Sequence, residues 1–145
     1  MPIPADAPRI LSVHGPVVAV HKPAGMVVHP ANASREPDLI SWLANEPLAP
    51  PGATPVHRLD KDASGLVLCA SDPVDRAEIS GWFARGELQK IYLALVVGHA
   101  HRKGTIRRTL SDGRRRRPLN ATTRYRLLEA LGGFSLLRVE PETGR

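Results

Sequence analysis

Proline and glycine divide this chain into short segments. The 14 prolines lie mainly before residue 56, and 12 glycines punctuate the 145 residues. Proline fixes φ and lacks an N–H, whereas glycine permits reversals of the backbone, so both residues favour turns. We therefore expect short helices and strands joined by much loop.

The size and composition of the chain are those of one soluble globular domain. No apolar run approaches the roughly 20 residues that a membrane helix needs, and no cationic then apolar leader opens the sequence. The single cysteine, Cys69, cannot form an internal disulfide and is expected to be a small buried side chain. A reducing compartment follows as the default, so we expect a cytoplasmic protein.

Local signals predict an α/β (α+β) fold, with a mixed, mainly antiparallel sheet, one short helix and one long helix. The short helix begins after Asp38, and the long helix has Asp72 as N-cap, Pro73 first and Gly86 after its end. Residues 1–16 are predicted to be a loosely held lead-in, and 110–119 an exposed loop. Strands are predicted over 17–21, 66–70, 92–97 (as a central strand), 104–109, 121–128 and 134–140.

Positive charge is concentrated in the last third of the chain. The net charge is +6, but residues 1–100 contribute −2 and residues 101–145 contribute +8. Arginine dominates this basic third, and its guanidinium suits bidentate contacts with phosphate. The bias indicates a polyanionic partner, most simply nucleic acid, and the alternative is a solvated basic loop.

The segment His57–Ala70 places a carboxylate between cations and then continues into an apolar strand. Asp60 lies between Arg58 and Lys61, and a nearby opposite charge favours the ionised form of a carboxylate. An ionised carboxylate can act as a nucleophile without a base to activate it. The alternative is an ordinary surface ion pair.

Five blocks of this sequence, in order, resemble those of the RluA-type pseudouridine synthases. His57–Leu68 (HRLDKDASGLVL) resembles the family's H-R-L-D-x-x-T-S-G-L-L-L, with Ala63 in place of Thr. The other four blocks are VHKPAGMVVHP at 20–30, with His21 where Asn is usual, KIY at 90–92, NATTRY at 120–125, and PETGR at 141–145. The resemblance spans about 17–145.

The resemblance implies the pseudouridine synthase catalytic fold, here incomplete at the C-terminus. Family members continue past T-G-R into H-Q-I-R or H-Q-L-R, whose Arg pairs with the nucleophilic Asp, whereas this sequence stops at Arg145. We therefore expect a partial catalytic domain over 17–145, either truncated or a remnant. We also expect no S4-like RNA-binding domain of the kind that many members carry, because few residues precede Val17.

The resemblance also assigns roles to individual side chains. It implies that Asp60 is the catalytic nucleophile in a snug, water-poor pocket, and that Tyr92 stacks on the target base, with a core tyrosine as the alternative. It implies that Arg58 enters the RNA stack in place of the extruded nucleotide, with an ion pair to Asp60 or Asp62 as the alternative. His57 is expected to orient the loop by hydrogen bonding and is counted among the predicted RNA- or substrate-binding residues. Further RNA or substrate contacts are predicted for Lys90, Arg107, Arg108, Arg114, Arg115, Arg116, Arg117 and Arg145.

The predicted function is isomerisation of uridine to pseudouridine in structured tRNA or rRNA by a monomer. The reaction implied by the resemblance transfers no electrons and needs no cofactor. We predict no metal site, because the six histidines lack the spacing and companions of metal ligands. The alternative is an inactive homologue that binds RNA without catalysis.

Overall fold

The computed structural model describes residues 7–30, 36–110 and 118–143. It confirms an α+β fold in which every pair of named strands is antiparallel and two helices are present among the described residues. The chain divides into two compact units, Met1–Gly81 and Trp82–Arg145, within the region predicted to be one domain. Each unit contains a four-stranded sheet rather than a share of one sheet.

The first unit contains a sheet with the strand order β1-β2-β4-β3. Its strands are β1 Arg9–His14, β2 Val17–Lys22, β3 Thr54–Pro55 and β4 Gly65–Ala70. The prediction of a loosely held lead-in is wrong for residues 9–14, because the tight turn at Gly15 folds β1 back onto β2. Strand β1 is an edge strand with mostly exposed side chains, which is why its sequence lacks the apolar signal of β2.

The core of the first unit lies against one face of β2 and β4. Side chains on β2 alternate, so that Val18, Val20 and Lys22 are buried while their neighbours are partly exposed. Opposite them Val67 and Cys69 of β4 are fully buried. Burial raises the pKa of the Cys69 thiol to about 12, because the thiolate would have to leave water. The cysteine is therefore a packed, inert side chain.

Both predicted helices are confirmed, together with their caps. Helix α1 is Leu39–Ala44, and the Asp38 side chain accepts a hydrogen bond from Ser41 N at 2.8 Å. Helix α2 is Pro73–Arg85. Asp72 Oδ1 accepts from the amide of Val74 at 2.7 Å, which satisfies a donor that the first helical turn leaves free.

The second unit contains a sheet with the strand order β5-β8-β7-β6. These strands are β5 Tyr92–Val97, β6 Lys103–Leu110, β7 Leu119–Leu131 and β8 Phe134–Pro141, and Gly132–Gly133 form the predicted hairpin turn. The prediction that 92–97 is a central strand is wrong for the described sheet, where β5 lies at an edge. The reason is that β8 returns from the hairpin to pair with β5.

The second sheet leaves large apolar side chains in contact with solvent. The burial of side chains alternates along strand β5, and its exposed residues are Leu93, Leu95 and Val97, the last 86% exposed.

The buried side chain of Ser135 has both of its hydrogen-bonding functions satisfied. Ser135 Oγ donates to Gly98 O at 2.7 Å and accepts from Ala100 N at 3.0 Å.

Across the three described ranges, neither helix has the length and apolar character that crossing a membrane requires.

Candidate active site

Asp60 lies on a loop that closes as a tight turn. In this segment, here called the Asp60 loop (residues 56–64), the amide of Ala63 donates to the carbonyl oxygen of Asp60 at 3.2 Å. Leu59 is buried, whereas Arg58 and Asp60 on either side of it are exposed. Because successive side chains of an extended segment point in opposite directions, anchoring Leu59 in the core turns the other two outward.

A buried ammonium group supports this loop from below. Lys22 is 0% exposed, and its Nζ donates to three carbonyl oxygens, those of Met26 at 2.6 Å, Pro23 at 2.8 Å and Lys61 at 3.1 Å. The carbonyl of Lys61 also accepts from Gly25 N at 2.8 Å. The turn that follows β2 and the Asp60 loop are therefore joined through one cation.

The charge of Lys22 is held near two carboxylates. Burial lowers the pKa of Lys22, and the carboxylates of Asp62 and Asp60 offset part of that shift. An ammonium with all three protons donated to carbonyls satisfies the requirement that a buried charge be fully hydrogen-bonded. The arrangement places a fixed positive charge close to the Asp60 loop.

Lys22 belongs to the segment 20–30 that resembles the family, but the sequence analysis assigned it no role. The signal that identifies it is the period of two along β2, in which Val18 and Val20 point to the core and Lys22 occupies the next inward position. A lysine there must be buried, and a buried lysine must have partners. The pattern could not name those partners, because Lys61 is distant in sequence.

His57 connects the loop to β4. Its Nε2 lies 3.0 Å from the amide nitrogen of Leu68, which donates to it, and Val56 N donates to Leu68 O at 2.9 Å. Strand β3 ends at Pro55, so no backbone carbonyl of a continuing β3 accepts the hydrogen bond from the Leu68 amide. The imidazole of His57 accepts that bond instead. Because Nε2 acts as an acceptor, the proton of the neutral ring is on Nδ1. This hydrogen bond ties the Asp60 loop to β4.

The cations beside Asp60 do not neutralise it within the described residues. Lys61 forms an ion pair with Glu36 at 2.7 Å, which raises the pKa of Lys61. The alternative for Arg58, an ion pair with Asp60 or Asp62, is not found in the described part of the chain. Asp60 itself is exposed.

Tyr92 and Lys90, two of the residues predicted to contact the substrate, lie in the second unit. Tyr92 begins β5, is half-buried and pairs with Val139 of β8. Lys90 Nζ lies 5.0 Å from the centroid of the Phe83 ring, a cation–π contact, and lines a cavity of about 340 Å³. The predicted cleft around Asp60 and Tyr92 would combine residues of two units that are described separately, so it stays a prediction.

Only some of the arginines predicted to contact RNA are among the described residues. Arg107 and Arg108 are exposed on β6, whereas Arg114, Arg115, Arg116, Arg117 and Arg145 lie outside the described residues. Sequence reasoning did not assign Arg124 and Arg126 of β7, which pair with β6 and bring two more cations beside it. Their signal was present, since both alternate with the half-buried Thr123 and Tyr125 along a strand.

Within the described residues, no group of three or more His, Cys, Asp or Glu side chains is placed to hold a metal ion. The site consists of an exposed carboxylate on a loop held by a buried cation, a histidine and a backbone turn. A carboxylate so positioned can serve as a nucleophile or a base toward a substrate that covers it.

Comparison with known proteins places this geometry in context. A family model described as RNA pseudouridylate synthase matches residues 16–145. An "Uncharacterized RNA pseudouridine synthase" of Chloroflexus aurantiacus is 43% identical, and the match covers 86% of this chain and 44% of the relative. The "Ribosomal large subunit pseudouridine synthase D" of Zymomonas mobilis is 34% identical, and the match covers 98% of this chain and 50% of the relative. The chain spans about half the length of these relatives.

Solved structures have the same fold. "Human RNA Pseudouridylate Synthase Domain Containing 1" has a TM-score of 0.74 and 22% identity, covering 100% of this chain and 63% of its own. "Human RNA Pseudouridylate Synthase Domain Containing 4" has a TM-score of 0.71 and 23% identity, covering 94% of this chain and 59% of its own.

Proposed function

Because the chain belongs to the RNA pseudouridylate synthase family, we propose that it isomerises uridine to pseudouridine within RNA. The observation that supports this most directly is the Asp60 loop, in which an exposed carboxylate follows the buried Leu59 and the loop backbone is anchored by Lys22 and His57. Reactive groups need to be held in a defined geometry for catalysis, and these anchors supply it.

In the proposed reaction, the bond between N1 of the base and C1′ of the ribose breaks and a bond between C5 and C1′ forms. The proton that leaves C5 is balanced by one gained at N1, so the product is an isomer of the substrate. Asp60 acts on the ribose, either by attack at C1′ or by assisting deprotonation toward a glycal. Neither route requires an external oxidant or group donor.

The exposure of Asp60 fits a substrate that itself completes the site. A uridine inside folded RNA must leave its stack to reach a carboxylate, at a cost of a few kcal/mol for unstacking. Arg58 is exposed, as Asp60 is, and we propose that it enters the vacated position. Tyr92 is proposed to stack on the extruded base.

The RNA class and setting are also proposals. The names of several relatives refer to the large ribosomal subunit, so ribosomal RNA is the first substrate to test, with tRNA as the second. We propose that the protein acts as a monomer in the cytoplasm, where its buried free Cys69 stays reduced.

The test is tritium release from RNA containing uridine labelled at C5. We expect Asp60→Asn to abolish release while RNA binding persists, because the amide keeps the shape of the side chain but cannot act as a nucleophile. The matched control is Asp62→Asn, two residues away on the same exposed loop, which should retain release. Release by Asp60→Asn at the wild-type rate would contradict the proposal.

The second candidate is RNA binding without turnover. It is favoured by one observation, that the second sheet carries exposed cations suited to RNA phosphates whether or not a reaction follows, namely Arg107 and Arg108 of β6 and Arg124 and Arg126 of β7. Wild-type protein that binds RNA but releases no tritium from either rRNA or tRNA would support this candidate over catalysis.

A further inference from the structure

The register of the second sheet sorts its cations by face. Along β6 the residues alternate, so Lys103 and Arg107 project from one face and Arg108 from the other. Directly paired residues of antiparallel strands share a face, and the pairs are Lys103 with Arg126 and, two positions along, Thr105 with Arg124. We call the face that carries Lys103, Arg107, Arg124, Arg126 and Arg138 the basic face.

Three cations on this face stand in one row across three strands. Lys103 of β6 pairs with Arg126 of β7, and Arg126 pairs with Arg138 of β8. Like charges directly opposite each other destabilise a sheet, by about 0.2–1 kcal/mol for each pair. A row of this kind costs stability in the free protein and becomes favourable when an anion bridges the charges.

Acidic side chains neutralise only some of the positive charges on the basic face. Arg138 Nε lies 3.0 Å from Glu140 Oε1, and Arg124 forms an ion pair with Glu142. In the described part of the chain, Lys103, Arg107 and Arg126 form no ion pair, and all three are exposed. The basic face therefore retains at least three cations available to a ligand.

The opposite face of the same strands has a different character. There Tyr125 lies across Gly104, so close that a Cβ at Gly104 would come within 2.6 Å of the ring. Ile106 and Ala121 share this face, and Arg108 is its cation on β6. Adjacent arginines in the sequence, Arg107 and Arg108, thus belong to two surfaces with different chemistry.

We propose that the basic face binds the phosphodiester backbone of the RNA substrate and that Arg108 takes no part in this contact. The proposal rests on the proposed function for the identity of the polyanion. Strands are spaced by about 4.8 Å, so the row from β6 to β8 spans about 10 Å and can reach more than one phosphate. Thr105 and Thr122 lie between the cations and add hydroxyl donors for phosphate oxygens.

The test compares Arg107→Gln with Arg108→Gln in the full chain, by fluorescence anisotropy of a labelled RNA hairpin over a series of salt concentrations. The two variants lose the same charge from adjacent exposed positions on one strand, so only the face differs. Each lost phosphate contact lowers the slope of log K against log[salt] by about 0.7, or about fivefold in affinity at 0.1 M salt relative to 1 M. We expect this loss for Arg107→Gln and an unchanged slope for Arg108→Gln.

Lys103→Gln and Arg126→Gln are expected to lose a similar slope, and thermal melting of every variant verifies that it is folded. Equal losses for Arg107→Gln and Arg108→Gln would overturn the proposal, as would binding of anionic phospholipid vesicles but not RNA. The binding measurement is independent of tritium release. The proposal for the basic face can therefore be rejected without rejecting the proposed catalysis, and the reverse also holds.

Discussion

The two units of this protein use their polar residues in opposite ways. The first unit, residues 7–81 as described, contains nearly all of the buried side chains and buries a complete ammonium group among them. The second unit, residues 82–143 as described, buries few side chains, among them Leu137 and Ser135, and carries its charges on an exposed sheet face. The first unit is built to hold one loop in place, whereas the second presents a surface.

This difference has an energetic consequence. A polar group inside a core costs free energy unless all its hydrogen bonds are made, so each partner in the first unit is required for stability. Exposed charges on a sheet contribute little to folding and can be retained for binding. Substitutions of similar residues in the two units should therefore give very different losses of stability.

The largest effect is expected for Lys22→Met. Three carbonyl oxygens would lose a charged donor, each worth about 1.5–3 kcal/mol, so the free energy of unfolding should fall by about 3 kcal/mol or more. Lys103→Met in the second unit is the matched control and should change it by less than about 0.5 kcal/mol. Urea unfolding of both variants measures this, and equal losses would remove the contrast between the units.

His57→Leu is expected to cost about 1–3 kcal/mol, because the amide of Leu68 loses its acceptor. His57→Gln should restore most of this, since the end of a glutamine side chain reaches the position of Nε2. His57→Asn reaches only the position of Nδ1 and should not. Hydrogen exchange of the Leu68 amide reports the bond directly, and equal exchange in the Gln and Asn variants would argue against it.

Gly104→Ala tests how tightly the Tyr125 ring packs against the backbone of Gly104 in the second unit. The new Cβ would meet the Tyr125 ring at 2.6 Å, so a cost of about 1–2 kcal/mol is expected from overpacking. In a Tyr125→Ala background the clash is absent and the same change should cost little. A double-mutant cycle with thermal unfolding measures the coupling, and additivity would show that the ring simply moves aside.

The smallest effect is a pH dependence in the first unit. Cys69 has its pKa raised from 9.0 to about 12 by burial, so the unfolded chain loses the thiol proton first as pH rises. Stability from this group is complete below pH 9 and is lost as pH rises toward 12. The loss between pH 9 and pH 10 is about 1 kcal/mol by linkage.

Cys69→Ala provides the control for that measurement, because other groups titrate in the same range. The free energy of unfolding of the wild type should fall more steeply between pH 9 and pH 10 than that of Cys69→Ala. Parallel curves for the two proteins would show that the thiol does not resist ionisation.

Sequence reasoning located the elements of both units better than it located their contacts. The helix at Asp72 was predictable because a cap, a proline and a stop signal all act locally, and the helix at Asp38 was predictable from Asp38 at its start. Strand β1 was missed because an exposed edge strand lacks a continuous apolar pattern. The position of β5 at a sheet edge was missed because strand order depends on which partner returns to it.

The candidate site divides in the same way. Asp60 and Arg58 were identified from the order of residues in one segment, and that segment is local. The support from Lys22 was not identified, because it joins residues 39 positions apart. Arg107 and Arg108 lie on opposite faces of the second sheet. Which other cations share each face depends on the pairing of β6 with β7, and this pairing is known only from the structure.

The sequence by itself determined the family, both helices, most of the strands and the carboxylate on which the chemistry is proposed to depend, because these follow from short segments whose residues act on their near neighbours. The tertiary structure alone decided which buried cation holds the Asp60 loop, which ring nitrogen of His57 accepts, and which arginines share a face. Those features arise from strand register and core burial, which join distant parts of the chain and which no local pattern specifies.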